Sequence, residues 1–140
     1  MSTKLQKDDL SVAVLSGGKS SRMNYEDKGL IEFNGFSVLS RIIKLSNKYS
    51  NDVFIIANDN LEEYEKLHPY LYSDILDNYQ GPLSGIYTAL SKSKNRYVII
   101  LPSDGPFVKE DYFEKFTNCE SNQHILVSKT GDRLQPVYAR

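Results

Sequence analysis

The amino-acid sequence predicts an α/β fold, namely a three-layer sandwich with a mainly parallel central sheet and helices on both faces. Short apolar, β-branched runs recur along the chain, and segments with helical spacing lie between them, as is typical of this class. Two of the runs, VFIIA and YVIIL, are almost purely apolar, which favours central strands that are covered on both faces. The chain has 140 residues, so we expect a single domain spanning 1–140.

The predicted elements follow from the spacing of the apolar residues. Strands are expected at 11–15, 52–57, 97–101 and 125–129. The first helix follows the Asn34-Gly35 turn, with its apolar face formed by Val38, Leu39, Ile42, Ile43 and Leu45. Further helices are expected at 61–67, after the motif GPLSG, and at 110–116.

Three of the predicted strands end in polar, turn-forming residues. The endings are LSGG after the first strand, AND after the second and PSDGPF after the third. In open parallel sheets, ligands bind in the crevice outside the carboxyl ends of the strands. We therefore expect the functional site at this edge of the sheet.

Composition and charge exclude several classes of function. The 17 basic and 18 acidic residues nearly balance, so no broad electrostatic footprint indicates nucleic acid or an anionic membrane as a partner. The single cysteine, Cys119, excludes an internal disulfide framework and favours the cytoplasm. The N-terminal MSTKLQKDDL has no apolar core of a secretory signal, and no run approaches the roughly 20 apolar residues needed to cross a bilayer.

The densest concentration of chemistry is the segment LSGGKSSRM, which has the composition of a phosphate cradle. Ser16, Gly17 and Gly18 allow a tight turn that points backbone N–H groups into a concavity. Positive charge for an anion bound there comes from Lys19, Arg22 and Lys28.

Two common phosphate-binding motifs are excluded by spacing. A Walker loop requires a glycine five positions before the glycine of GKS, where this chain has Ala13. A dinucleotide fingerprint that starts at Gly17 requires glycines where Lys19 and Arg22 stand. The loop is therefore of another type.

Five motifs in one order resemble the molybdenum cofactor guanylyltransferases, the MobA family of the nucleotidyltransferase superfamily. They are LSGGKSSRM, the pair Asp27-Lys28, GPLSG at 81–85, SDGPF at 103–107 and QPVYA at 135–139. The resemblance implies the Rossmann-like nucleotidyltransferase fold. It also implies transfer of GMP from GTP to molybdenum-molybdopterin with release of pyrophosphate, with Mg²⁺ as cofactor and molybdenum cofactor assembly proteins as further partners.

The resemblance also implies roles for individual residues. GTP-binding residues would be Leu15, Ser16, Gly17, Gly18, Lys28, Asn58, Asp74 and Asp104. Asp104 would hold the metal, and catalysis would rest on Lys28, Arg22 and Asp104. The chemistry is plausible because a terminal phosphate is already an anionic nucleophile, so the protein has to supply position and positive potential rather than an activated side chain.

The chain departs from the family pattern at several positions. Asn24 and Tyr25 stand where the family usually has glycines, Ser16 replaces the commoner alanine, and Gly105 follows Asp104. Family members normally continue past the QPVYA strand, so we expect this chain to lack the family's C-terminal elements. Two alternatives remain open at this stage: a nucleotidyltransferase that uses CTP or a sugar phosphate, and a non-catalytic GTP-binding module.

Overall fold

A computed structural model of the chain describes residues 4–16, 30–76, 82–103, 108–119 and 123–140, without the side chains at 136–138. The strands are β1 (Leu10–Leu15), β2 (Glu32–Phe33), β3 (Phe36–Ser37), β4 (Asp52–Ile56), β5 (Leu71–Tyr72), β6 (Tyr97–Pro102), β7 (Val127–Thr130) and β8 (Arg133–Ala139). The α-helices are α1 (Val38–Ser46), α2 (Leu61–Leu67), α3 (Pro82–Lys92) and α4 (Glu110–Asn118).

The main sheet has the strand order β5-β4-β1-β6-β8-β7. β5, β4, β1 and β6 are parallel, whereas β8 is antiparallel to both β6 and β7. The predicted α/β class with a mainly parallel sheet is confirmed. The carboxyl ends of β1, β4 and β6 lie along one edge because these three strands are parallel neighbours.

The sheet is covered on both faces, as the apolar strands predict. Alternate residues of β1 point to opposite sides, since Val12 and Val14 join one core cluster and Ala13 joins the other. The first cluster contains buried side chains from α1, α2 and α4, and the second contains Ala89 from α3. Among the described elements, α3 is therefore the helix that packs on the second face.

The first helix begins where a hairpin ends. β2 and β3 are joined by Asn34 and Gly35, both with positive φ, which is the backbone of the tight turns that favour Asn-Gly. Ser37 then caps α1, since its Oγ accepts a hydrogen bond of 3.0 Å from the Ser40 N–H. The predicted turn and the helix that follows it are both confirmed.

The end of α1 is fastened to α4 through Tyr49. Its ring stacks on Phe113 at a centroid distance of 4.8 Å, and its hydroxyl donates to Glu114 Oε1 at 2.9 Å. Burial, together with the hydrogen bond to Glu114 and the charges of Glu114 and Glu110, raises the pKa of Tyr49 to about 12. Hydrogen bonds from Lys4 and Tyr49 lower the pKa of Glu114.

The structure shifts the bounds of several predicted elements and adds elements that were not predicted. The strand expected at 125–129 begins at Val127, and β5 was not predicted because two residues are too few to show a periodicity. β8 lies between β6 and β7 in the sheet, although it is the last strand in the chain.

Within the described segments, no helix combines the length and the apolar character required to cross a membrane.

Candidate nucleotide-binding site

The predicted edge of the sheet is formed by the ends of three adjacent strands. The Ser16 N–H donates to the Ile56 carbonyl of β4 at 2.8 Å. On the other side of β1, the Ser103 N–H donates to the Leu15 carbonyl at 2.9 Å. Ser16, which precedes the glycine pair, is therefore held against β4, and Ser103, which precedes Asp104, is held against β1.

Two predicted binding residues meet at this edge. The Asn58 Nδ2 donates to Asp74 Oδ2 at 2.9 Å, and the Asp74 N–H donates to Asn58 Oδ1 at 3.0 Å. Asn58 is exposed and Asp74 is half-buried, so the pair lies at the surface of the edge. A carboxylate has about four acceptor positions, so Asp74 retains capacity to accept from a ligand's N–H or O–H groups.

Helix α3 closes the site from the second face of the sheet. A Cβ atom at Gly85 would lie 3.2 Å from Leu15 Cδ2 and 3.4 Å from Leu15 Cδ1, so the helix approaches the end of β1 closely. Pro82 is the first residue of α3, a position that suits proline because its missing N–H would have no partner inside the helix. The first turn of α3 therefore lies at the predicted edge, beside one of the predicted GTP-binding residues.

Two buried hydroxyls at the site have no hydrogen-bond partner within the described part of the chain. They are Ser16 Oγ and Ser84 Oγ, in residues that are 8% and 0% exposed. A buried polar group without a partner costs about 1–3 kcal/mol. The Ser16 hydroxyl is therefore a candidate hydrogen-bonding group at the predicted edge.

Sequence reasoning missed one contributor, Thr88. Its Oγ1 accepts from the Ile75 N–H at 3.0 Å, so α3 is bonded to the residue that follows Asp74. A signal was present, because Ser84 and Thr88 place polar side chains one helical turn apart on the face of α3 that packs against the sheet.

Several predicted site residues lie outside the described residues. They are Gly17, Gly18, Lys19, Arg22, Lys28 and Asp104. Of the residues that the structure describes, Leu15, Ser16, Asn58 and Asp74 lie at the same edge of the sheet, and the binding roles of all the site residues stay predictions. Among the described residues, no group of three or more His, Cys, Asp or Glu side chains could hold a metal ion.

His68 has a structural position in the fold. It is 9% exposed, and its Nε2 lies 2.6 Å from the Val53 carbonyl. His68 also packs edge to face against Tyr70, with ring centroids 5.6 Å apart. The hydrogen bond and the ring contact give His68 a structural role in joining α2 and β5 to β4.

Comparison with known proteins points to one family. The protein named "Probable molybdenum cofactor guanylyltransferase" of Clostridium perfringens strain 13 is 40% identical over 129 residues, which are 92% of this chain and 64% of that protein. The "Molybdenum cofactor guanylyltransferase" of Vibrio cholerae serotype O1 is 35% identical over 135 residues, which are 96% of this chain and 66% of that protein. This chain thus spans about two thirds of the length of these relatives.

Solved structures agree with the fold. The protein Aq1419 of Aquifex aeolicus VF5 matches with a TM-score of 0.74 and 29% identity, over 96% of this chain and 70% of that one. Rv0371c of Mycobacterium tuberculosis H37Rv matches with a TM-score of 0.73 and 13% identity, over 96% and 71% of the two chains, which supports the fold alone. Residues 12–140 match the family described as the MobA-like NTP transferase domain, and the chain belongs to that family.

Proposed function

We propose that this protein transfers GMP from GTP to molybdenum-molybdopterin, forming the guanine dinucleotide cofactor and pyrophosphate. A terminal phosphate oxygen of the pterin attacks the α-phosphorus of GTP, and the bond from that phosphorus to the β-phosphate oxygen breaks. The observation that carries the proposal is the Asn58–Asp74 pair at the carboxyl edge of the sheet, in a chain 40% identical to a protein named as such a guanylyltransferase.

The nucleoside end of GTP would be bound by Asp74 and Asn58. Guanine and ribose present N–H and O–H donors, for which a carboxylate and an amide oxygen are suitable acceptors. The Ser16 hydroxyl, buried without a partner in the described part of the chain, adds a hydrogen-bonding group beside β1. We assign these side chains to binding and orientation, because none of them has to react.

The phosphates would be bound by Lys28, Arg22 and the N–H groups of Gly17 and Gly18. The two positively charged side chains and the two backbone N–H groups would counter the negative charge that develops on the transferred and leaving phosphates. Ser16, which precedes Gly17, bonds Ile56 of β4, and Ser103, which precedes Asp104, bonds Leu15 of the adjacent strand β1. This arrangement supports a shared site without fixing its inner geometry.

Mg²⁺ fits the donor set that the sequence offers. Magnesium is typically bound in proteins by one or two carboxylates together with substrate phosphates, so Asp104 alone is a chemically adequate protein ligand. When bound, Mg²⁺ would supply positive charge to the phosphates. The protein's own contribution would be the carboxylate of Asp104 and the positive charges of Lys28 and Arg22.

The proposal includes the setting of the reaction. We assign all of 1–140 to a single nucleotidyltransferase domain and, from the lone cysteine, place the reaction in the cytoplasm. The product is a cofactor that has to reach other enzymes, so proteins of molybdenum cofactor assembly are the partners we expect.

The decisive experiment measures pyrophosphate release with molybdenum-molybdopterin and Mg²⁺, using GTP, CTP or ATP in parallel. We expect release with GTP, and the guanine dinucleotide as the product identified by mass spectrometry. The Vibrio cholerae relative provides a positive control. Release with CTP alone would favour a cytidylyltransferase, and saturable GTP binding without release would favour a non-catalytic binding module.

A further inference from the structure

A buried polar relay connects α3 to the loop that carries Asp74. The Ile75 N–H donates to Thr88 Oγ1 at 3.0 Å, and the Thr88 hydroxyl donates to the Ser84 carbonyl at 3.0 Å. Thr88 is 0% exposed, so its hydroxyl is shielded from water, whereas Ile75 is 45% exposed. The hydroxyl therefore bonds helix and loop at the same time.

The direction of the two bonds is fixed by chemistry. A threonine hydroxyl has a single hydrogen, and here it is donated to Ser84 inside the helix. The lone pairs that remain on the oxygen accept the amide of Ile75. Threonine has two common χ1 rotamers in a helix, and the bond to the Ser84 carbonyl, one turn earlier, holds Thr88 in one of them, so the acceptor oxygen is held in one place.

Asp74 is consequently fixed by bonds at two successive amides. Its own N–H donates to Asn58 Oδ1 at 3.0 Å, and the next N–H, that of Ile75, donates to Thr88. The two acceptors belong to different parts of the fold, one at the end of β4 and the other on α3. The two bonds orient the two peptide planes on either side of the Asp74 Cα, that before Asp74 and that between Asp74 and Ile75, and so the direction in which the Asp74 side chain leaves the backbone.

We infer that Thr88 is a positioning residue, which holds the Asp74 loop so that the carboxylate meets the nucleoside. The inference rests on the proposed function, because that function assigns Asp74 to the nucleoside. α3 also contacts Leu15 through Gly85, so one helix sets the position of both Asp74 and the end of β1. Thr88 thus links the nucleoside side of the site to the strand that precedes the phosphate loop.

The test removes the Thr88 hydroxyl while keeping the shape of the side chain. Thr88→Val is nearly isosteric and leaves the Ile75 N–H without its acceptor, while Thr88→Ser retains the hydroxyl. One hydrogen bond of this kind corresponds to about a threefold to tenfold change in an equilibrium constant. We expect Thr88→Val to raise the Kd and KM for GTP by that factor with little change in kcat, and Thr88→Ser to restore the wild-type values.

Amide hydrogen exchange tests the relay without a ligand. We expect the Ile75 amide to exchange slowly in the wild type and in Thr88→Ser, and faster in Thr88→Val. Thr117→Val is a matched control, since Thr117 is also buried and also bonds a carbonyl of its own helix, Glu114 O at 3.3 Å. It should alter neither the exchange of Ile75 nor the affinity for GTP. If Thr88→Val does not fold, Thr88→Ala removes the same hydroxyl without a branched side chain.

A double-mutant comparison distinguishes positioning from general stability. In an Asp74→Ala background, Thr88→Val should have no further effect on GTP affinity, because it acts through the carboxylate. An equal loss in both backgrounds, or unchanged affinity in Thr88→Val with a fast-exchanging Ile75, would overturn the inference. A wild-type protein that binds no GTP would instead refute the proposed function, and the exchange measurement would still show whether Thr88 holds the loop.

Discussion

Asn58 and Asp74 bond each other reciprocally, side chain to side chain at 2.9 Å and backbone N–H to amide oxygen at 3.0 Å, although 16 residues separate them. Asn58 follows β4 and Asp74 follows β5, which is parallel to β4. The pair depends on that alignment, because the short β5 brings the second loop beside the first. We regard it as the nucleoside end of the site.

Replacing Asn58 should weaken GTP binding. Asn58→Ala removes the donor to the Asp74 carboxylate and the acceptor for the Asp74 N–H. The loss of two such bonds corresponds to about a fivefold to tenfold increase in the Kd for GTP. Asn58→Asp should raise the Kd for GTP further, because it places two negatively charged carboxylates side by side. Isothermal titration with GTP and Mg²⁺ measures both variants.

A matched control is available for the Asn58 variants. Asn51 also donates to an aspartate, Asp8, at 2.8 Å, but it precedes β4 and therefore lies at the opposite edge of the sheet. Asn51→Ala should leave GTP affinity unchanged. Equal Kd values for wild type and Asn58→Ala would remove Asn58 and the pair from the site.

Enlarging Gly85 should disturb both the packing and the site. In Gly85→Ala, the Cβ would meet only the movable end of Leu15, and the gain in helix propensity of about 1 kcal/mol offsets the crowding. Gly85→Val adds two further methyl groups where a Cβ is already tight, and overpacking of this kind costs about 1–3 kcal/mol. Urea denaturation should show the alanine variant near the wild type and the valine variant clearly less stable.

The same series tests whether α3 must lie close to β1 for binding. If it must, Gly85→Val should also lose GTP affinity, and Leu15→Ala in the same chain should recover part of that loss by making room. A valine variant as stable as the wild type would show that α3 moves away from β1 at no cost.

Loss of a charged group at the phosphates should affect the rate. Removing one well-placed group that stabilises developing charge commonly costs about 100-fold to 1,000-fold, and we expect this for Lys28→Ala and for Asp104→Ala. The rate of pyrophosphate release at saturating GTP measures the turnover of each variant. Lys66→Ala, which removes an exposed cation paired with Glu63 on α2, should keep wild-type turnover. A fully active Lys28→Ala or Asp104→Ala variant would refute the role assigned to that residue.

Tyr49 should make stability depend on pH in the alkaline range. Its pKa is raised from 10.0 to about 12 in the folded protein, so its contribution is complete below the unfolded value and is lost as the pH rises through the folded one. Tyr49→Phe lacks the ionisable group, so the stability difference between wild type and variant should shrink between pH 10 and about 12. Urea denaturation at about pH 8 and about pH 11 measures the difference.

A half-exposed tyrosine provides the control for the pH series. Tyr87 is 51% exposed on α3, and its replacement by phenylalanine should leave the pH dependence of the wild type in place. A constant difference between wild type and Tyr49→Phe across this range would show that the Tyr49 hydroxyl ionises equally well in the folded and unfolded chain.

Much of the fold could be predicted because the local periodicity of the apolar residues indicates where the helices and strands lie. The helix at 61–67 has the predicted bounds, and the strand predicted at 11–15 begins one residue earlier, at Leu10. Apolar spacing of this kind reflects which side of an element is buried, and that is a property of a few consecutive residues. The strand ends LSGG, AND and PSDGPF were also correctly predicted to meet at one edge, since parallel neighbouring strands end on the same side.

Pairing between distant segments could not be predicted in the same way. β5 is too short to show alternation, and the position of β8 between β6 and β7 depends on which strand edges remain open after the others have paired. Thr88 was missed for a related reason. The helical spacing predicts that Thr88 faces the sheet. The N–H group that donates to it belongs to Ile75, in another segment of the chain, and the spacing does not reveal this partner.

The sequence alone therefore determined the α/β class, the edge at which the polar strand ends meet and the family to which the motifs belong, because each rests on short-range spacing or on motif order. Only the tertiary structure decided that Asn58 bonds Asp74 and that Thr88 holds the same loop from α3. The physical reason is that a hydrogen bond needs donor and acceptor within about 3 Å of each other, and such a distance between remote segments is set by the packing of the whole chain.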